Sequence, residues 1–253
     1  MKSVPSIAAR PDAPSPARKP IVEVRGLRYR YPDGTLALDG VDFDLRPGER
    51  VAVFGANGSG KTTFILHLNG LLRGEGFIEV CGRRIDRDTN ADALAEVRAR
   101  LGLVFQNSDE QLFMPTVLED VAFGPSNQGL SPEEASARAR TALDQVGMSD
   151  AAGKAPYHLS AGEKRRVALA GVLAMQPEIL VLDEPTTSLD PPGQRELLRL
   201  LRHLPQAILL VTHDADFAAS LATRAVFFER GRIAAEGEVR EITERFHWSR
   251  ESE

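Results

Sequence analysis

Residues 55–63 read Gly55-Ala56-Asn57-Gly58-Ser59-Gly60-Lys61-Thr62-Thr63 and fit the phosphate-loop pattern G-x-x-x-x-G-K-[ST]. The glycines let backbone N–H groups turn inward around the β- and γ-phosphates of a nucleoside triphosphate. The helix expected to follow adds its positive N-terminal end. Lys61 is suited to neutralise phosphate charge, and Thr62 to offer its hydroxyl to Mg²⁺. The context agrees: Arg50–Phe54 in front reads as a short buried strand, and residues 64–68 behind continue as an apolar helix. A glycine-rich turn that binds nothing needs neither that frame nor the Lys-Thr pair.

Further candidates each follow an apolar run. Gln106 comes after 101–105, Asp183-Glu184 after 179–182, and Thr212-His213-Asp214 after 207–211. Ligands in open parallel sheets sit beyond the carboxyl ends of the strands, so these residues can converge on one nucleotide. Asp183 is suited to the Mg²⁺ shell and Glu184 to polarising an attacking water. His213 can contact the γ-phosphate and sense its loss, and Gln106 can share the metal or the water. Singly, a Gln or His at a strand end is more often structural; joint placement after separate strands points to triphosphate hydrolysis. Tyr31 stands where its ring either stacks on a base or joins the core, and spacing alone leaves both open.

The elements that must hold these residues follow from periodicity. Residues 21–31 alternate as a strand, Pro32-Asp33-Gly34 is a turn, and 36–45 reads as a second strand ended by Pro47-Gly48. Two antiparallel strands ahead of the loop predict a small sheet beside the nucleotide. A strand over 76–81, a helix over 91–100 and a buried strand over 101–105 come next. After a polar loop with Leu112, Phe113 and Met114 embedded in it, amphipathic pieces cover 117–123, 132–146 and 163–175. These helical segments, with few strands between about 107 and 175, predict a helical subdomain inserted in an α/β core. Strands over 179–182 and 207–211, with a helix over 193–203 between them, resume the parallel pattern. Residues 225–229 and 232–235 finish the sheet, and 239–253 is expected to be helical, then frayed.

The expected fold class is therefore α/β. It is a P-loop NTPase core with a mostly parallel sheet flanked by helices, an N-terminal antiparallel β subdomain and an inserted α-helical subdomain. Residues 1–20 are expected to be a disordered tail, 21–245 one ATP-binding domain and 246–253 a C-terminal tail. A net charge of −5 gives no general basic field for nucleic acid. The single cysteine, Cys81, excludes an internal disulfide and a cysteine-based metal site. No apolar run is long enough to span a membrane, and the proline-rich start lacks the apolar middle of a secretory signal. The histidines at 67, 158, 203, 213 and 247 have no metal-ligand spacing.

Over roughly residues 21–240 the chain resembles the ATP-binding subunits of ABC transporters. Leu159-Ser160-Ala161-Gly162-Glu163 resembles the family signature, usually Leu-Ser-Gly-Gly-Gln, and the basic run Lys164-Arg165-Arg166 follows it. Residues 179–184 resemble the Walker B segment and Ser188-Leu189-Asp190 the D-loop. His213 resembles the switch histidine, Gln106 the Q-loop and Tyr31 the adenine-stacking aromatic. The resemblance implies ATP and Mg²⁺ as cofactors and a head-to-tail pair of domains with two ATPs between them. Each ATP would be held by one chain's phosphate loop and the other's signature, with Ser160 and the Gly162 backbone meeting the γ-phosphate and Asp190 in the ATP-binding set. Ala161 and Glu163 depart from the usual signature, and retained function with slightly altered closure is expected.

A narrower likeness comes from residues 104–113, 115–125 and 164–177, which are similar to energy-coupling-factor (ECF) importers. It implies a second ATP-binding subunit (identical or different), a transmembrane coupling subunit and a membrane substrate-binding subunit. It also implies a peripheral place on the cytoplasmic face of the cell (inner) membrane and no nucleic-acid partner. By residue chemistry, the exposed apolar groups with Asp109, Glu110, Glu119 and Asp120 read either as a docking surface for basic coupling helices or as an ordinary solvated helix start. Within the group, the Ser-Ala-Gly-Glu-Lys-Arg-Arg run looks most like the cobalt/nickel branch, with a vitamin or other small molecule as the alternative cargo. A soluble mechanical ATPase is a further alternative, although a second ATPase domain and a long coiled-coil insertion are both missing. A nucleotide kinase would leave 159–163 and His213 without a role.

Overall fold

The computed structural model describes residues 19–248. β1 (Val22–Arg30) and β2 (Leu36–Leu45) pair antiparallel. The turn between them closes through Tyr31 and Thr35, whose N–H groups donate to Thr35 O and to the Asp33 carboxylate, both at 2.9 Å. Alternation puts Val22, Val24, Val41, Phe43 and Leu45 into the core. β3 (Arg50–Phe54) then leaves this layer. β4 (Glu75–Val80) returns to pair with β1, and β5 (Arg83–Arg84), a two-residue edge strand that composition did not signal, completes a four-stranded sheet in the order β2-β1-β4-β5.

The second sheet carries the site. Its strands are β6 (Leu101–Val104), β7 (Ile179–Asp183), β8 (Ala207–Val211), β9 (Arg224–Glu229) and β10 (Arg232–Glu238), with β3 among them, in the order β10-β9-β3-β8-β7-β6. All neighbours from β9 to β6 run parallel, and only β10 is antiparallel. Both faces are covered, which is why β3, β7 and β8 are near-continuous apolar runs rather than alternating ones. Parallel strands end at one edge, so residues far apart in sequence arrive there together.

The helices are α1 (Lys61–Leu68), α2 (Ala91–Arg100), α3 (Val117–Asn127), α4 (Pro132–Gln145), α5 (Ala161–Ala174), α6 (Pro191–His203), α7 (Ala215–Leu221) and α8 (Val239–Arg245). Between β6 and β7 stand three α-helices and three short 3-10 turns, and the helices cover the three amphipathic segments expected there. The starts of α3, α4 and α5 are set by capping boxes, Thr116 with Glu119, Ser131 with Glu134 and Ser160 with Glu163. α3 runs through Gly124-Pro125, a pair that reads as a stop in sequence. α7 was not anticipated; the Asp214 carboxylate accepts the Phe217 N–H at 3.0 Å and starts it.

Lys19 ion-pairs with Glu79 at 2.8 Å, and the remainder of the expected N-terminal tail, residues 1–18, lies outside the described residues. At the other end α8 stops at Arg245, yet Phe246 does not fray: it stacks on Phe227 at 3.8 Å, and Trp248 meets Phe227 edge-on at 5.4 Å. Burial of two aromatics outweighs the loss of helix. Residues 249–253 lie outside the described residues. No helix among the described residues is long and apolar enough to cross a membrane.

Candidate functional site

The phosphate loop joins β3 to α1 at the centre of the parallel sheet. Its tip, Ala56-Asn57-Gly58, is exposed, whereas Gly55, Ser59 and Gly60 are buried. Gly60 holds φ at +108° as the N-cap of α1 and offers no side chain to its N–H groups. The first N–H groups of a helix have no intrahelical partner, so these donors are available to an anion. A Cβ on Gly60 would lie 2.6 Å from the Ala37 carbonyl of β2, a backbone atom that cannot yield. Gly60→Ala is therefore expected to destabilise the fold by about 1–3 kcal/mol and to weaken ATP binding at least about tenfold by displacing the α1 start. Thermal melting with titration calorimetry checks both.

Lys61 is buried, and its Nζ donates to the Gly55 and Ala56 carbonyls, the latter at 3.0 Å. The ammonium thus sits in the curve of the loop itself. Burial pushes its pKa down, against the opposing pull of Glu184 and Asp183. Ser59 Oγ is also buried there and has no hydrogen-bond partner among the described residues. Thr62 is exposed, and Thr63 turns inward, its Oγ1 3.1 Å from the Tyr31 hydroxyl. The Tyr31 ring is half-buried and stands edge-on to Tyr29 at 5.0 Å.

Next to the loop, β7 delivers the acidic pair. Asp183 is buried and its pKa is pushed up to about 6, first by burial and then by Glu184, with Lys61 and Arg165 opposing. Glu184 holds φ at +46°, with its N–H donating to Val211 O at 2.8 Å. One Glu184 carboxylate oxygen meets His213 Nδ1 at 2.8 Å and accepts the His213 backbone N–H at 3.3 Å. A carboxylate only accepts, so Nδ1 carries the proton in this contact and Nε2 is left for a ligand.

Gln106 is exposed on the turn after β6. Two residues missed by sequence reasoning hold that turn. Gln111 accepts the Phe105 N–H at 2.8 Å and donates to Leu103 O at 3.0 Å. Arg165 is 5% exposed and donates to the carbonyls of Phe105 (2.6 Å), Gln106 and Glu184 (3.5 Å). The 164–166 run reads simply as basic. The usable signal was phase, because Arg165 shares a helical face with the buried Ala168, Leu169 and Val172.

The ABC transporter family profile matches residues 38–187. The chain belongs to the ABC transporter ATP-binding family. It is 51% identical over 231 residues to a Streptomyces avermitilis protein described as an ABC transporter ATP-binding protein, covering 91% of this chain and 87% of that one. It is 48% identical over 226 residues to the energy-coupling factor transporter ATP-binding protein EcfA of Methanothermobacter thermautotrophicus, covering 88% and 72%. Among solved structures it is similar to cbiO1 from Clostridium perfringens, described as part of the ABC transporter complex cbiONQ. The TM-score there is 0.80 at 37% identity, with 90% of this chain and 92% of that one covered. The chain is thus an ABC ATPase, with ATP as its nucleotide.

In this ABC ATPase the structure brings Lys61, Asp183, Glu184, His213 and the Gln106 turn together and leaves the signature apart. Ser160 caps α5, and the Glu163 carboxylate accepts both its N–H and its hydroxyl at 2.8 Å. Among the described residues no hydrogen bond or ion pair joins Ser160 or Gly162 to the phosphate loop. Asp190 likewise serves its own helix, accepting the Gly193 N–H at 2.9 Å to start α6.

Of the four acids named for a docking surface, Asp109, Glu110 and Glu119 are exposed, and only Asp120 needs correction. Asp120 is buried, accepting the N–H groups of Phe113 and Met114, each at 3.0 Å; burial pushes its pKa up. Glu119 spends its carboxylate on Thr116, and Asp109 pairs with Lys164 at 2.6 Å. A helix start claims acids before a partner can. Aromatic side chains face outward beside the exposed acids: Phe113 is 62% and Tyr157 76% exposed, with Phe123 edge-on to Phe113 at 5.1 Å. Phe113 and Tyr157 flank a shallow hollow of about 180 Å³ that Leu112, Met114, Pro156 and the Asp109–Lys164 pair also line.

Proposed function

We propose that this ABC ATPase is the motor of an ECF-type importer for cobalt or nickel ions. The observation that carries the hydrolytic part is the Glu184–His213 contact at the sheet edge, beside Lys61 and the phosphate loop. The phosphates of ATP seat against the α1 N–H groups, and the Lys61 ammonium exchanges its loop carbonyls for phosphate oxygens. Glu184 accepts a proton from water as the water oxygen bonds to the γ-phosphorus. The bond to the bridging oxygen breaks, leaving ADP and phosphate. His213 holds the Glu184 carboxylate through Nδ1 and offers Nε2 to the γ-phosphate side. Gly55 to Thr63 form the ATP cradle, with Tyr31 as its aromatic wall on the adenine side.

The oxygen donors here suit Mg²⁺: the exposed Thr62 hydroxyl, the Asp183 carboxylate and the Gln106 amide oxygen. These residues would hold the ion, whose charge neutralises the β- and γ-phosphate oxygens. Ser160 and Gly162, unconnected to their own phosphate loop, face the ATP of a second ATP-binding subunit, with Asp190 beside that interface.

The aromatic patch of Phe113, Phe123 and Tyr157 supports docking to a transmembrane coupling subunit. A membrane substrate-binding subunit completes the assembly, and the chain lies peripherally on the cytoplasmic face of the membrane. The cargo assignment leans on similarity to EcfA and cbiO1 and on the 160–166 run. Tagged pull-down from detergent-solubilised native membranes, read by mass spectrometry, is expected to recover a multi-spanning scaffold and a small membrane protein that binds cobalt or nickel. A vitamin binder would overturn the cargo, and a permease pair dependent on a periplasmic protein would overturn the ECF assignment. Phe113→Asp is expected to abolish recovery of the scaffold, since it puts a charge in the centre of the apolar patch; undiminished recovery would remove the patch from the interface.

A further inference from the structure

Arg165 is a buried cation, and among the described residues no carboxylate lies within ion-pairing distance of it. Its partners are three neutral main-chain carbonyls on two turns distant in sequence: Phe105 and Gln106 after β6, and Glu184 after β7. Burial pushes the guanidinium pKa down, and the charges of Asp183 and Glu184 counter it, so the acid pair of the site favours the charged form. Desolvating a guanidinium is costly, and an aliphatic side chain would fill the same stripe beside Ala168, Leu169 and Val172 without that cost.

The planar, rigid fork of arginine reaches several acceptors at fixed angles, which neither lysine nor an apolar residue can do. Here it spans α5, the Gln106 turn and the residue in the left-handed region at φ +46°. Such a backbone persists only when its surroundings hold it. Glu184 is held through its N–H by Val211 and through its carbonyl by Arg165. Five residues before Arg165 on the same element stands Ser160, the cap of α5.

We propose that Arg165 is a positioning residue that ties the Gln106 turn and Glu184 to α5, so that the base and the metal-side glutamine are aligned only while α5 keeps its place. The proposal rests on the functional reading of Gln106 and Glu184 given above. It makes the signature helix, rather than the sheet edge alone, the element that sets the geometry of hydrolysis.

The test uses the full-length chain with Arg165→Gln and Arg165→Lys, and Glu184→Gln as a control. In Arg165→Gln, Mg²⁺-free ATP binding is expected to stay within about threefold of wild type while turnover at saturating ATP falls about 10–100-fold. Amide hydrogen exchange at 105–107 in the nucleotide-free protein is expected to quicken. The Mg²⁺ concentration for half-maximal activity is expected to rise. Arg165→Lys keeps the charge and loses the fork, and is expected to fall between. Wild-type turnover with unchanged exchange in both variants would overturn the proposal. So would loss of ATP binding in parallel with a lowered melting temperature, which is the mark of a purely structural arginine. Wild-type turnover in Glu184→Gln would instead overturn the assignment of the base, and the exchange at 105–107 would still judge Arg165.

Discussion

Glu184→Gln is expected to bind ATP with near wild-type affinity and to hydrolyse it about 10²–10⁴-fold more slowly. Glutamine has the size of glutamate and its carbonyl oxygen still accepts from His213 Nδ1 and N–H, so the local geometry survives. Only the capacity to take a proton from the attacking water is lost. Lys61 and the α1 N–H groups, to which the proposed mechanism gives the phosphates, are untouched. Calorimetry for binding and phosphate release for turnover separate the two effects, and sizing in the presence of ATP follows the pair of domains, expected to persist because reopening needs hydrolysis. Undiminished phosphate release would mean that another group is the base.

Asp183→Asn is expected to make the nucleotide-free protein more stable at pH 7.5 and to remove its Mg²⁺-dependent hydrolysis. The Asp183 pKa is pushed up to about 6 in the folded chain, against roughly 3.9 for an unfolded aspartate. Between these values the folded state binds the proton more tightly. Its advantage is whole below about pH 4, shrinks as pH rises through about 6 and is gone above that. At pH 7.5 the carboxylate charge therefore costs on the order of 3 kcal/mol. Asparagine removes that cost, and the melting temperature is expected to rise by roughly 5–10 °C at pH 7.5 and to change little at about pH 4. Melting curves at the two pH values, with and without Mg²⁺ and ATP, give the answer. A lower melting temperature for the variant at pH 7.5 would show that the charge stabilises the empty site. A buried, unwelcome carboxylate is what a cation-dependent site requires, because the ion then relieves a strain that the empty protein bears.

The two experiments bear on different halves of one edge. In the proposed mechanism Glu184 acts in the chemical step, whereas the buried Asp183 carboxylate is the one a cation would relieve. Their adjacency on β7 also explains the disparity of environment: Asp183 ends the buried strand, and Glu184 turns into the left-handed region toward His213.

The sequence alone determined the parts of this protein whose signals are local. The phosphate loop is a contiguous motif, and strands buried on both faces must be apolar throughout, so 179–182 and 207–211 announced themselves. Their carboxyl-end residues lie together in the structure, because parallel strands share an edge. Cap chemistry was legible too, although Ser160 with Glu163 was read for its family likeness and its start of α5 at Ala161 was passed over. The tertiary structure decided what depends on separation in sequence: β3 between β8 and β9, Glu184 against His213, and Arg165 reaching from α5 to two other turns. It also turned Asp120 inward and packed Phe246 and Trp248 on Phe227. Residue type says whether a side chain can be charged or apolar, and local spacing says which face it shares. Only the packing of elements distant in the chain selects its partner, because the free energy of that contact is paid by burial and hydrogen bonds formed between both elements at once.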